Sequence, residues 1–140
     1  MRLLVTVAAS LALATAGLAQ DKKTEIKKVP AQYSNPASGP EMFKQYCAAC
    51  HGVDGKGTGP AAAALKKTPA DLTLLSAKNN GKFPALKVIN TIQGADIAAS
   101  HGSRDMPIWG DIFRSFGGGQ MITEMRVKNL SSHIESIQQK

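Results

Sequence analysis

The sequence predicts an all-α fold, and three observations carry that prediction. Along the last segment Val127, Leu130, Ile134 and Ile137 recur at spacings of 3, 4 and 3, which is one face of an α-helix. Leu86, Ile89 and Ile92 repeat that period in a shorter run, and Phe43, Tyr46, Cys47 and Cys50 do so in a third. No stretch alternates apolar and polar residues as a half-buried strand does, and no internal repeat interrupts the chain.

Taken in order, residues 1–19 read as an export signal. Arg2 supplies the positive start, Leu3 to Leu13 the apolar stretch, and Ala14 to Ala19 the small residues for cleavage after Ala19. An uncleaved membrane anchor is the alternative. Leu3 to Ala19 is short for a bilayer and is broken by Thr6, Ser10, Thr15 and Gly17. Residues 20–38 are charged, then rich in Pro, Ser and Asn, without apolar periodicity. They read as a mobile tether, with Tyr33 a part of it rather than docked. The domain is expected to occupy 39–140.

Within that domain a helix is predicted over Pro40 to Ala49, Pro40 suiting the first turn. Gly52 to Pro60 is a loop, with glycines at 52, 55, 57 and 59. A short helix over Ala61–Leu65, a turn over Thr68–Leu72 and a polar loop to Gly81 follow. Pro84 to Gln93 is the next helix, Gly94 to Gly110 is irregular, and the last helix runs from about Met121 to Gln138.

Charge excludes some functions. The chain carries +7, but Arg2 leaves with the signal and the tether holds +2. The domain itself, with twelve basic and eight acidic side chains, carries +4. Its basic residues are scattered apart from Lys66-Lys67, with no interleaved aromatics on which bases would stack, so nucleic acid is a poor partner. There are only two cysteines, so no disulfide framework staples the domain, and aromatics make up just 5%. A buried cofactor would fill such a centre.

The residues that carry chemistry are Cys47-Ala48-Ala49-Cys50-His51. On a helix, i and i+3 share a face about 5–6 Å apart. Two thiols so placed can bond the two vinyl-derived carbons on one edge of a haem, and the adjacent histidine then reaches the iron. This is the haem c attachment pattern. A thiol–disulfide redox pair also uses this cysteine spacing, but belongs in a strand–helix–strand setting and leaves His51 without a role. Zinc wants four ligands, and only His101 and His133 remain as nitrogen donors. A structural disulfide closing so small a ring is a poor staple.

From Gly39 onward the chain resembles a class I c-type cytochrome. The matching stretches are Phe-Lys-Gln-Tyr-Cys-Ala-Ala-Cys-His-Gly at 43–52, Asp-Gly-Lys-Gly-Thr-Gly-Pro at 54–60 and Pro-Ala-Asp-Leu-Thr at 69–73. Met-Pro-Ile-Trp-Gly at 106–110, Asn-Leu at 129–130 and Ile-Glu-Ser-Ile-Gln at 134–138 complete them. The resemblance implies a small cytochrome c fold, helices wrapped around one covalently attached haem. It implies Met106 as second axial ligand, a thioether being the soft donor that raises potential. His101 is the rival, and would make the iron bis-His. Met42 shares the cysteines' helix, and Met121 and Met125 read as core. By resemblance Pro60 supplies the carbonyl for the proximal histidine's other ring nitrogen, and Trp109 with Arg104 or Arg114 holds the propionates. His133 stands where the family usually has an aromatic.

His/Met ligation leaves iron no open position. That implies an electron-transfer protein rather than an enzyme or gas sensor. The expected protein is a monomeric periplasmic carrier making transient contacts with a redox donor and acceptor, without nucleic acid or stable membrane insertion. The competing reading is a haem c electron-entry subunit permanently bound to a dehydrogenase or terminal oxidase.

Overall fold

The computed structural model describes residues 29–95 and 106–139. Residues 1–19, residues 20–28 of the expected tether, His101 and Arg104 lie outside the described residues. Every regular element among the described residues is helical, as the periodicities predict.

The first helical run starts where Ser38 caps it. The Ser38 hydroxyl accepts from the Glu41 amide at 3.3 Å, Pro40 occupies the first turn, and the Glu41 carboxylate faces the positive helix end. It proceeds as α1 (Gly39–Met42), a π-helical stretch (Phe43–Cys47) and α2 (Ala48–His51). The run therefore extends two residues past the expected Ala49, and the wide π turn ends on Cys47, the first residue of the cysteine–histidine pattern. Short 3₁₀ turns follow at Ala62–Ala64, Leu72–Leu74 and Ala77–Asn79.

Helix α3 (Ala85–Gln93) ends on Gly94, whose φ of 87° allows its amide to reach back to the Asn90 and Thr91 carbonyls. Its buried side chains are Val88 and Ile92, with Ile89 half-buried, whereas Leu86 is 77% exposed. Leu86 was expected on the inward face. It stands two residues, or about 200° of turn, from Val88 and so points away from it.

Helix α4 (Trp109–Ser115) was not foreseen: its first two residues belong to the stretch expected to be irregular. It is two turns long, too short for its period to show, yet Trp109, Gly110 and Phe113 are buried in it. Helix α5 (Gly119–Ser136) begins two residues before the expected Met121, after Gly117 and Gly118, both with positive φ. It buries Val127, Leu130 and Ile134 of the predicted stripe together with Thr123, Arg126 and Ser131, while Ile137, the fourth residue of that stripe, lies just past the helix end and is half-buried. Met121, expected in the core, is 76% exposed, and Met125 is half-buried.

α5 is the axis on which α1, α3 and α4 pack. Met42, Phe43 and Tyr46 meet Val127, Leu130 and Ile134, with Val88, Ile92, Trp109 and Phe113 closing the cluster. Each such side chain contributes about 1.5–3 kcal/mol by leaving water. The crossing of α1 with α5 is tight at Gly39, where a Cβ would strike the Asn129 carbonyl oxygen and reach His133 Cβ. Close helix approach, not a turn, demands glycine there.

His133 sits at this crossing, edge-on to Phe43 with ring centroids 5.0 Å apart. The aromatic contact that a histidine put in doubt is thus made by the imidazole itself. Burial holds its pKa below the ordinary 6.5, because the charged ring loses water. The unfolded chain then binds a proton more readily than the folded one, so stability is complete above pH 6.5 and declines as pH falls through the lowered value. A melting temperature that drops over that interval in the wild type, with the step removed in His133→Gln, is the expected result. An unchanged step in the variant would assign it to another group.

The expected tether differs from the structure over residues 31–38, which are laid against the domain. Ser34 is buried, and its hydroxyl donates to the Tyr46 phenol at 2.7 Å. That phenol in turn donates to the Gln32 carbonyl at 2.7 Å. Asn129 donates to the Pro36 carbonyl at 2.9 Å. Arg126, 0% exposed, donates from Nη1 to the Ser34 carbonyl at 2.9 Å, with its guanidinium 4.6 Å from the Tyr33 ring centroid. The physical reason is polar satisfaction. A buried guanidinium and a buried phenol both need oxygen partners, and the carbonyls of this segment supply one to the Tyr46 phenol and one to Arg126 Nη1, while Arg126 Nε and Nη2 have no hydrogen-bond partner among the described residues.

Candidate haem site

Cys47, Cys50 and His51 occupy the end of the first helical run. The last carbonyls of a helix lack intrahelical partners, and here the following loop provides them. Gly57, Gly59 and Ala61 donate their amides to the carbonyls of His51, Cys50 and Ala49 at 2.7, 3.0 and 2.8 Å. Gly59 lies so close that a Cβ would collide with the Ala48 and Ala49 oxygens. The glycine-rich loop read from the sequence is therefore a collar that anchors the turn bearing the histidine.

His51 Nδ1 lies 3.0 Å from the Ala70 carbonyl oxygen. A carbonyl only accepts, so Nδ1 carries the proton, and in the neutral ring Nε2 is then the nitrogen with the lone pair. That is the tautomer a metal-ligating imidazole requires. Pro60 was expected to supply this carbonyl, and the structure puts Ala70 there instead. The amides on either side of Pro60 are committed to the helix end, and the Leu72 amide donates to the Gly55 carbonyl at 2.8 Å, which draws residue 70 alongside the ring. Asp71 shapes that turn by accepting from the Thr73 amide at 2.9 Å and hydroxyl at 2.6 Å. The hydroxyl bond above all holds the Asp71 carboxyl below its ordinary 3.8.

Both cysteines are unbridged and half-exposed. Burial, reinforced by the Cys50 sulfur, pushes the Cys47 thiol from 9.0 up to about 12. A dithiol–disulfide exchange site depends on the opposite shift, towards thiolate. Among the described residues no group of three or more His, Cys, Asp or Glu gathers as a structural zinc site requires.

Cys47 and Met106 are both half-buried, and each packs against the buried core cluster. Of the other methionines, Met42 is fully buried with its sulfur 4.0 Å from Arg126 Nη1, so its sulfur is turned to that guanidinium. Trp109 is buried, its ring 5.1 Å from that of Tyr46 and 5.7 Å from that of Phe113. Arg114 is exposed and paired with Asp111 on its own helix. Two thiols at i and i+3, followed directly by an imidazole that donates from Nδ1 to a carbonyl, are a set of residues that fits a covalently attached haem.

Sequence reasoning did not find Ala70, because a backbone carbonyl has no residue-type signature. The Asp71–Thr73 pair, an Asp followed two residues on by a hydroxyl, was the available signal of an ordered turn there.

Comparison with protein families places residues 34–115 in a match to cytochrome c oxidase, cbb3-type, subunit III. No curated protein and no solved structure matches the chain. The match covers more than half of the chain and opens inside the docked segment, five residues before the helix that leads to the cysteines. With its helical fold and its cysteine–histidine turn, this chain belongs to the cytochrome c oxidase, cbb3-type, subunit III family: it is a c-type cytochrome, its cofactor is covalently attached haem c, and its chemistry is haem-based electron transfer.

Proposed function

We propose that the chain is a periplasmic electron carrier in which Cys47 and Cys50 hold one haem by thioether bonds while His51 and Met106 are its axial ligands. The observation that carries this is the protonated Nδ1 of His51 on the Ala70 carbonyl at 3.0 Å, directly after the two thiols in the same helical run. When bound, the haem supplies a one-electron Fe(III)/Fe(II) couple. His51 donates through Nε2 and is kept from rotating by the Ala70 bond. Met106, half-buried three residues before α4, offers a soft donor suited to both oxidation states. Trp109 and Arg104 are the proposed partners of the propionates.

Contacts with redox partners are proposed to be small and transient. None of the described helices is long and apolar enough to cross a membrane, and residues 1–19 are proposed to direct export. The family description favours a second reading, in which the chain is a fixed subunit of a terminal oxidase.

A pyridine haemochrome spectrum together with the intact mass of the exported protein tests the assignment. One covalently bound haem and loss of residues 1–19 are expected. A colourless chain with the mass of its amino acids alone would end the reading. Recovery of an oxidase with the chain after high-salt washing would select the fixed subunit over the carrier.

A further inference from the structure

We infer that Gln138, just past the end of α5, is a positioning residue for His51: it clamps the loop after Ala70 and thereby sets how strongly the axial imidazole donates. This rests on His51 being the iron ligand proposed above. Gln138 is half-buried and its amide is fully engaged. Nε2 donates to the Leu72 carbonyl at 2.6 Å and to the Ile134 carbonyl at 2.8 Å, while Oε1 accepts from the Ser76 amide at 2.8 Å. A glutamine that merely capped its own helix would need only the Ile134 bond. The other two reach across to the loop.

Gln139 reinforces the clamp. Its amide donates to the Thr73 carbonyl and its side chain to the Thr73 hydroxyl oxygen, both at 2.9 Å. Thr73 is buried and bonded twice to Asp71, the residue that follows Ala70. On the opposite side Leu72 is tied to the Gly55 carbonyl. The Ala70 peptide is thus held between the loop that collars His51 and the end of α5. A carbonyl partner raises the basicity of a ligating imidazole, and a stronger donor favours the ferric state. Loosening the clamp weakens the Nδ1–H bond and shifts the couple towards ferrous.

The test compares Gln138→Met, which keeps volume but removes the amide, with Asn129→Ala in the matured, haem-bearing protein. Asn129 makes a similar bond from α5, to the Pro36 carbonyl at 2.9 Å, away from His51. Redox titration and NMR exchange of the iron-bound imidazole's Nδ1 proton are the readouts. Gln138→Met is expected to favour ferrous by about threefold, well below the ~10–100-fold effects of altering a ligand's own outer partner. Proton exchange should quicken by roughly tenfold as local opening becomes easier. Asn129→Ala should lower the melting temperature yet move neither quantity. Wild-type potential and exchange in Gln138→Met, with the imidazole signal present, would overturn this inference alone, as would equal shifts in Asn129→Ala. A wild-type protein whose iron has no histidine ligand would overturn it together with the proposed function.

Discussion

Met106→Ala is expected to leave the haem covalently attached and to lower its midpoint potential by a few tenths of a volt, within the ~0.8 V that axial ligands span. Attachment survives because Cys47, Cys50 and His51 belong to a helix end that Met106 does not hold; its collar is built from residues 57–61. The potential falls because a thioether stabilises the ferrous state relative to a harder replacement such as water. The sixth position also opens, so the ferrous form should bind carbon monoxide without denaturant. The thioether-to-ferric absorption band in the far red should vanish. Unchanged ligand binding and potential would remove Met106 from the iron. His101, the rival, would then be tested the same way.

Cys47→Ser is expected to reduce covalent haem yield to a small fraction, with the spectrum of any product reporting one thioether instead of two. The serine hydroxyl forms no thioether, and Cys47 is the more enclosed of the pattern's contacts with the core. Chains that fail to mature should also fold poorly. Deleting a single buried aromatic side chain costs about 3–5 kcal/mol, and a macrocycle is larger than any of them. In a chain with 5% aromatic residues there is little else to fill that volume. Wild-type covalent yield at both positions would contradict the anchoring scheme.

Among the helices, legibility followed length and period. Of the stripe Val127, Leu130, Ile134 and Ile137 the first three are buried as read, since eighteen residues of α5 repeat one period often enough to define a face, while Ile137 lies past the helix end and is half-buried. In α3 three apolar residues were too few to choose a face, and Leu86 was assigned to the wrong one. Helix α4 escaped notice because its two turns are held by partners distant in sequence, Trp109 and Phe113 against Tyr46.

At the candidate site the side chains were readable and their supports were not. Cys47, Cys50 and His51 announce their chemistry by residue type and spacing. Ala70 acts through a backbone oxygen, and Gln138 through bonds to loop carbonyls and amides more than 60 residues away. Neither role leaves a local pattern.

By itself, then, the sequence determined the helical class, the cysteine–histidine turn and the haem chemistry, because these depend on periodicity and on functional groups that neighbouring residues bring together. Only the tertiary structure decided that residues 31–38 are docked, that Ala70 and not Pro60 faces His51, and that the end of α5 grips the loop after Ala70. Those outcomes depend on which buried polar group finds which partner, and that is a property of the folded chain's three-dimensional contacts, with sequence separation playing no part.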